Sequence, residues 1–454
     1  MLALQEKRSS RKRFTDPVVV GKDLLELLSG AMYIDPLTIY REFIQNAADS
    51  IDEANAEGLY SGKTRPRIDI ALDLEGRTAR IRDNGTGIPR NRVLRRLTSL
   101  GASKKRGTAA RGFRGVGRLA GLAYCQELVF RTKSLADDSV YEMYWDCRRL
   151  KELLRNLEPD ADLASILHEI ISLDSASNEN FPAHFFEVEL RQVMRHKNDL
   201  LLNEDAINRY LSQVGPIPFS PEFAFGRKIQ QFLEEFNAGN VYRIYVNDSK
   251  EPLARPFQID FEAKKGIKNA AADLETFQIP GIADGIDAVG WILHHDYLGA
   301  IPDHLGIKGV RARVGNIQVG DANTFQSVFP EPRFNSWAIG EVHVLTPRIV
   351  PNGRRVDFQQ NSHSANLINH LIQKGKIIAR KCRECSAIRA RAKSGVSASA
   401  SASGIDFAKV RTFLGKRGKQ KLSRDHRKKL REFLTQRGIT YEMLFSVLSI
   451  LGED

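Results

Sequence analysis

Residues 36–56 carry a polar stripe inside an apolar helical pattern, and that stripe narrows the possible folds more than any other feature. Ile39, Phe43, Ala47, Ile51 and Ala54 recur at spacings of three and four, so they share one helical face. Asp35 before Pro36 suits an N-cap with proline at the first helical position. Glu42, Asn46 and Asp49 fall at i, i+4 and i+7 and form a second stripe. A solvated face is the ordinary reading of such a stripe. Asn46 argues against it, because asparagine is a poor helix former and this one sits in an apolar run. A buried stripe needs partners, and a metal–phosphate cluster would supply them.

Two further stretches follow in order. Arg67–Leu74 and Thr78–Arg82 alternate in polarity around Glu75-Gly76 and read as a β-hairpin. It runs into Asp83-Asn84-Gly85-Thr86-Gly87, where an aspartate at a strand end can accept from an exocyclic amine and the glycines let the backbone pass close to a ligand. By itself this is also an ordinary Asn-Gly turn. From Leu100 to Gly121 the chain is rich in glycine and cations, with Ser99 and Ser103 adding hydroxyls and an apolar helix expected over Leu119–Tyr124. Backbone N–H groups at a helix start, flanked by cations, suit phosphates. The spacing is not that of a Walker-type loop, since no Gly-Lys-Ser/Thr follows.

With the three stretches in this order, the chain resembles the GHKL ATPase superfamily, which includes DNA gyrase, MutL mismatch-repair proteins, HtpG-type heat-shock chaperones, MORC ATPases and histidine kinases. The resemblance is densest over residues 15–135. Leu24–Asp52 is most similar to the chaperone branch. Gly112-Phe113-Arg114-Gly115 reads like MutL, and Gly115-Val116-Gly117 like the chaperones. The resemblance implies a Bergerat α/β sandwich ATPase domain, then an α/β transducer and a short helical tail. It makes Glu42 the general base, Asn46 the magnesium ligand and Asp83 the adenine reader. Gly85 and Gly87 lie under the nucleotide, and Ser103 and Lys104 open the lid. Gly112, Gly115, Val116 and Gly117 surround the triphosphate, and Asp49 matches a polar position near the ribose or adenine edge. The cofactors implied are ATP and Mg2+; one amide oxygen plus phosphates suits magnesium, which keeps several waters. The chaperones place a threonine ahead of their last strand near adenine; none precedes Phe185 here.

At 454 residues the chain exceeds the size at which one hydrophobic core stops growing, so two domains and a tail are expected. The divisions read from sequence are an N-terminal arm over 1–20, an ATP-binding domain over 21–192 and a second domain over 193–392; the resemblance implies that the arm can exchange between subunits and that the second domain is a transducer. A Ser/Ala linker over 393–404 and a basic helical tail over 405–454 follow. Strands are expected at Glu127–Lys133, Val140–Asp146, Phe185–Leu190, Val241–Val246, Ala288–His294, Val310–Ile317 and Gly340–Leu345. Helical pattern covers Arg148–Leu173 and Leu367–Arg391, with a polar loop over Ser175–Asn180.

In this family the second domain offers a cation to the γ-phosphate. Arg354 and Arg355 in Pro351–Phe358 are favoured over Lys308, since a guanidinium forks onto phosphate oxygens. No apolar run is long enough to span a bilayer, and no signal-peptide core follows the basic N-terminus. Cys125, Cys147, Cys382 and Cys385 fit a reducing cytoplasm as plain thiols. A net charge of +13 permits polyanion contacts without establishing them.

The leading reading is an ATP-hydrolysing clamp of the chaperone-like or MORC-like class. It would be a homodimer on ATP binding, with a protein client or operon partner, DNA contact through the basic surface and tail, and no membrane. The competing readings are a DNA-processing ATPase of the MutL or gyrase type and a nucleotide-binding scaffold or histidine-kinase-like protein without hydrolysis. No nuclease or topoisomerase set is evident, and no phosphoacceptor helix precedes Asn46.

Overall fold

The computed structural model describes residues 35–60, 64–99, 117–155, 163–176, 181–196, 198–264 and 267–393. Ser103, Lys104, Gly112, Gly115 and Val116, the N-terminal arm, the Ser/Ala linker and the basic tail lie outside the described residues.

Helix α1 (Thr38–Ala56) forms where the apolar spacing places it, and Asp35 Oδ1 accepts the Leu37 N–H at 3.0 Å just ahead of its first turn. Its apolar stripe is buried throughout, with Ile39, Phe43, Ala47, Ile51 and Ala54 no more than 3 % exposed. The hairpin follows as β1 (Ile68–Asp73) and β2 (Thr78–Asp83), antiparallel with Ile70 opposite Ile81. Then come α2 (Arg90–Thr98), a 3-10 turn at Gly117–Gly121, β3 (Glu127–Lys133) and β4 (Val140–Asp146). They are followed by α3 (Cys147–Arg155), α4 (Leu163–Ile170), β5 (Ile171–Ala176) and β6 (Phe185–Arg191). Beyond these lie α5 (Glu204–Val214), α6 (Gly226–Glu235) and β7 (Ile244–Val246). The sheet runs β5-β4-β3-β6-β2-β1-β7, antiparallel except for β7 beside β1.

A second sheet is built from β8 (Asp260–Lys264), β9 (Ile267–Pro280), β10 (Ile286–His295), β11 (Gly309–Val314), β12 (Ile317–Val319) and β13 (Ile339–Val344). Its order is β12-β11-β13-β10-β9-β8. Helix α7 (Ser362–Lys393) covers one face through Leu367, Leu371, Ile378 and Ala379. Helix α6 covers the other through Ile229 and Leu233, against Phe219, Phe257 and Trp291.

Four expectations change. Ile171–Ala176, read as the end of a helix and the start of a loop, is a strand paired to β4, because that edge offers unmet backbone groups that outweigh helical pattern. Leu119–Tyr124 is replaced by the 3-10 turn at Gly117–Gly121, where two glycines weaken a longer helix. The strand expected over Val310–Ile317 breaks at a left-handed Asn316 into β11 and β12. Strands β8 and β9 were not anticipated: the Lys268-Asn269-Ala270-Ala271-Ala272-Asp273 run of β9 has little strand propensity and is extended by pairing with β8 and β10. The first core also reaches past residue 192, taking in Leu201, Ile207, Leu211, Ile217, Tyr242, Ile244 and Val246.

The two units meet at a buried ionic hub. Glu341 is fully buried and accepts from Arg255 Nη1 at 2.6 Å and Arg313 Nε at 2.5 Å. The same arginines donate to Ile217 O at 3.0 Å and Gln213 O at 2.7 Å, so the hub clips the chain after α5 onto the second sheet. Burial costs all three ions their hydration, and losing Glu341 strands both arginines; Glu341→Ala is therefore expected to cost about 3–5 kcal/mol, read as a shift in the urea midpoint. Burial also holds His295 and His343 down at about 4. Both lie below the unfolded value of about 6.5, so the stability they contribute is present above pH 6.5 and lost as pH falls through 4. Each pulls the unfolding midpoint down on acidification by up to roughly 3 kcal/mol, which unfolding curves at pH 7 and 4.5 would measure.

Candidate active site

Helix α1 presents its second stripe to the end of β2 and to the second sheet. Glu42 is 7 % exposed and Asp49 9 %, while Asn46 is half-buried and its side chain makes no hydrogen bond to another described residue. The stripe is thus not a solvated face. A buried carboxylate next to an uncommitted amide oxygen is the donor chemistry that a hydrated magnesium–phosphate cluster uses.

Asp83 closes β2 at 3 % exposure. Its Oδ1 accepts the Gly85 N–H at 2.9 Å, and the Ser50 hydroxyl of α1 also bonds its carboxylate. Burial pushes Asp83 up to about 7, opposed by those two bonds and by Arg96. The glycines after it answer to protein packing as well as to ligand approach. A Cβ at Gly85 would run into the Ser50 side chain and backbone. Gly87 has φ +68°, and a Cβ there would overlap the Lys133 carbonyl. Gly87→Ala combines left-handed strain with that clash and is expected to destabilise the fold by about 2–4 kcal/mol in chemical denaturation. Gly117, the one described glycine of the expected triphosphate set, lies against Glu42: a Cβ there would overlap Oε2.

The second sheet contributes an arginine. The segment Pro351–Phe358 folds back on itself through a bridge between its end residues and an Asn352 N–H to Asp357 O bond of 2.7 Å. At its turn Arg355 adopts φ +55°, a strained conformation for a non-glycine residue. Its N–H reaches Asn352 O at 3.1 Å, and its carbonyl accepts the Gly320 N–H at 2.8 Å just after β12. Held in this way, buried Arg355 places Nε 3.7 Å from Glu42 Oε1; Arg41 Nε lies 3.6 Å from the same oxygen. Arg354 is exposed, and Lys308 pairs with Asp303. All four cations line a cleft of about 650 Å³ between α1, α5 and the second sheet. The structure therefore brings Glu42, Arg355 and Gly117 together at one end of α1's stripe and Asp83, Gly85 and Gly87 at the other, with Asn46 and Asp49 between.

Residues 38–172 match the family described as "Histidine kinase-, DNA gyrase B-, and HSP90-like ATPase". Residues 38–172 carry a GHKL-type ATPase domain. Chaperone protein HtpG of Helicobacter acinonychis is 23 % identical over 261 residues, covering 51 % of this chain and 41 % of the relative. HtpG of Helicobacter pylori (strain 26695) is 28 % identical over 135 residues, covering 26 % and 22 %. HtpG of Enterobacter sp. (strain 638) is 26 % identical over 142 residues, covering 28 % and 23 %. The matched stretches span about two fifths or less of these relatives' length.

Several residues of the GHKL domain escape a reading of sequence. Ser50 follows the polar stripe and carries no signal of its own. Where the chaperones place a threonine, buried His184 bonds Gly85 O through Nδ1 at 2.7 Å. Thr132, on the adjacent strand β3, accepts the Ile88 N–H at 2.7 Å and donates to Phe185 O at 3.1 Å. Only strand pairing brings these groups to the Asp83 turn. Arg41 was visible as the neighbour of Glu42, but nothing in its spacing marks it. No helix among the described residues is long and apolar enough to cross a membrane.

Proposed function

We propose that the protein is a magnesium-dependent ATPase that works as a clamp, hydrolysing ATP at Glu42 and coupling hydrolysis to the relative placement of its two sheets. The observation that carries this reading is the meeting of Arg355, from the second sheet, with Glu42, from α1. Asn46 would hold the magnesium; when bound, the ion neutralises phosphate charge and fixes the triphosphate's orientation.

Asp83 accepts a proton-bearing exocyclic amine at the far end of the site and so reads adenine, with Gly85 and Gly87 beneath the base and Asp49 near its sugar edge. Glu42 accepts the proton of the attacking water, directly or through a second water. Arg355 turns from Glu42 toward the γ-phosphate oxygens as charge develops there. Ser103, Lys104, Gly112, Gly115, Val116 and Gly117 close over the phosphates as a lid that excludes water. ATP favours the closed arrangement because the γ-phosphate touches groups it cannot reach in the open one. Two subunits closing on each other is the default symmetry. The HtpG relatives bear the name chaperone, which supports a protein client.

Asp83 gives this reading a pH signature. Its carboxyl sits near 7, and only the ionised form accepts from the amine without offering a competing proton. ATP affinity is expected to weaken by about tenfold per pH unit below 7 and to level off above it, by calorimetry. Because the folded pKa is raised, the stability Asp83 contributes is present below the unfolded value of 3.8 and lost as pH rises through 7. Asp83→Asn is thus expected to bind no ATP yet unfold at higher temperature at pH 8.

The decisive experiment is steady-state ATP turnover against protein concentration, with and without an aggregating client and duplex DNA. Turnover rising with concentration and suppression of client aggregation are expected. Absence of turnover under all conditions would sink the reading. Acceleration by DNA that salt abolishes would move the partner from protein to nucleic acid.

A further inference from the structure

The cleft beside Glu42 extends well beyond anything a γ-phosphate requires. It runs from Arg41 and Arg355 to Lys308, Arg311 and Arg354, across the boundary between α1 and the second sheet. Its volume of about 650 Å³ is that of a small-molecule site. Arg41 is 6 % exposed and its Nε, itself buried, makes no hydrogen bond; Glu42 Oε1 at 3.6 Å is too distant to satisfy it. An unmet guanidinium N–H of this kind is costly unless an acceptor arrives. Arg311 is 3 % exposed and held by Gln213 and Gln318 at 3.2 and 2.9 Å, so its position is built rather than adventitious. Burial, and after it the neighbouring Arg313, lowers its pKa to about 10.

Three carboxylates also line the cleft, and each is engaged. Asp35 accepts the Leu37 N–H, Asp303 pairs with Lys308, and Asp321 accepts the Asn323 N–H at 2.7 Å. Five cations therefore face these three committed acids and Glu42, which lies beside Arg41 and Arg355 at the cleft's edge. We propose that this cleft is a second, phosphate-bearing anion site, filled by inorganic phosphate or pyrophosphate. The anion bridges Arg41 of the GHKL domain to Arg311 and Lys308 of the second sheet and so holds the two in the arrangement that keeps Arg355 beside Glu42. The binding stands on the cleft alone; its effect on turnover rests on the ATPase reading. Phosphate released at Glu42 and phosphate from solution share this chemistry, and both would dwell here.

The test is calorimetric titration of the full-length chain with inorganic phosphate and with pyrophosphate, with and without saturating ADP, together with melting temperature against phosphate concentration. Saturable binding that persists with ADP present is expected, with a melting temperature that rises as the site fills. Lys308→Gln should weaken binding by about tenfold, the order expected for one charge-assisted contact. Asp321→Asn keeps the Asn323 bond, removes a negative charge from the rim, and should strengthen binding by about threefold. Opposite signs from two cleft substitutions are not produced by misfolding, and exposed Asp321 keeps the test open should Lys308→Gln fold poorly. Phosphate retained by an Asp83→Asn chain that no longer binds ADP would separate this site from the nucleotide pocket. In wild-type turnover assays, added phosphate and phosphate made by the enzyme should slow product release alike, and Asp321→Asn should deepen the effect of both. No saturable binding, or binding that ADP abolishes and both cleft substitutions leave unchanged, overturns the proposal.

Discussion

Replacing Glu42 with alanine is expected to leave ATP bound and to slow turnover by about a hundred-fold or more, the contribution of a positioned general base. Binding should survive because the proposed adenine end of the site, Asp83 and the glycine turn, is held by Ser50 and β3 rather than by Glu42. Turnover falls because Glu42, buried and steered by two arginines, is the carboxylate that lies against both Arg355 and Gly117. The alanine also leaves those guanidinium groups without their carboxylate, so some stability is lost with the activity. Glu42→Gln separates the two effects: it keeps the shape and part of the bonding but cannot take a proton. Phosphate release and ATP calorimetry on both variants are the measurements. Turnover within a few-fold of wild type in Glu42→Gln would remove Glu42 from the chemistry.

The second large effect is expected at Arg355. Arg355→Ala should lower turnover by about a hundred- to a thousand-fold with ATP affinity changed only a few-fold, as when a guanidinium is removed from a developing phosphoryl charge. Arg354→Ala should matter much less, since that side chain is exposed. The backbone adds a readout that a structural role would not share. At φ +55° arginine is strained and glycine is not. Both substitutions strand Glu42 and lose packing, so both should melt below wild type, but Arg355→Gly is expected to melt higher than Arg355→Ala while losing the same turnover. Turnover that followed the melting temperatures of the two variants would make Arg355 a packing residue. Unchanged turnover in Arg355→Ala, with loss in Lys308→Ala, would transfer the role to Lys308.

Local pattern was enough for much of this molecule. The register of apolar residues placed α1, the polarity of β1 and β2 marked their hairpin, and the runs at β3, β4 and β6 declared themselves. These segments bury one regular face, so sequence neighbours and spatial neighbours agree. The agreement fails where pairing partners are remote. β9 has the composition of a helix or loop and is extended only because β8 and β10 flank it. β5 is drawn from a helical pattern by the open edge of β4.

The candidate site divides in the same way. Residue types and order along the chain determined that a carboxylate, an amide and a second acid precede a glycine-rich run in the sequence, because each of those motifs is local. Tertiary structure alone decided that Arg355, more than three hundred residues after Glu42, is the cation that meets it, and that Arg41, Ser50, Thr132 and His184 join the site. A side chain's type is written in the chain, but its electrostatic partner depends on which surfaces pack together. Here that packing is set by the clip of Arg255 and Arg313 on Glu341 and by the turn that holds Arg355 against β12.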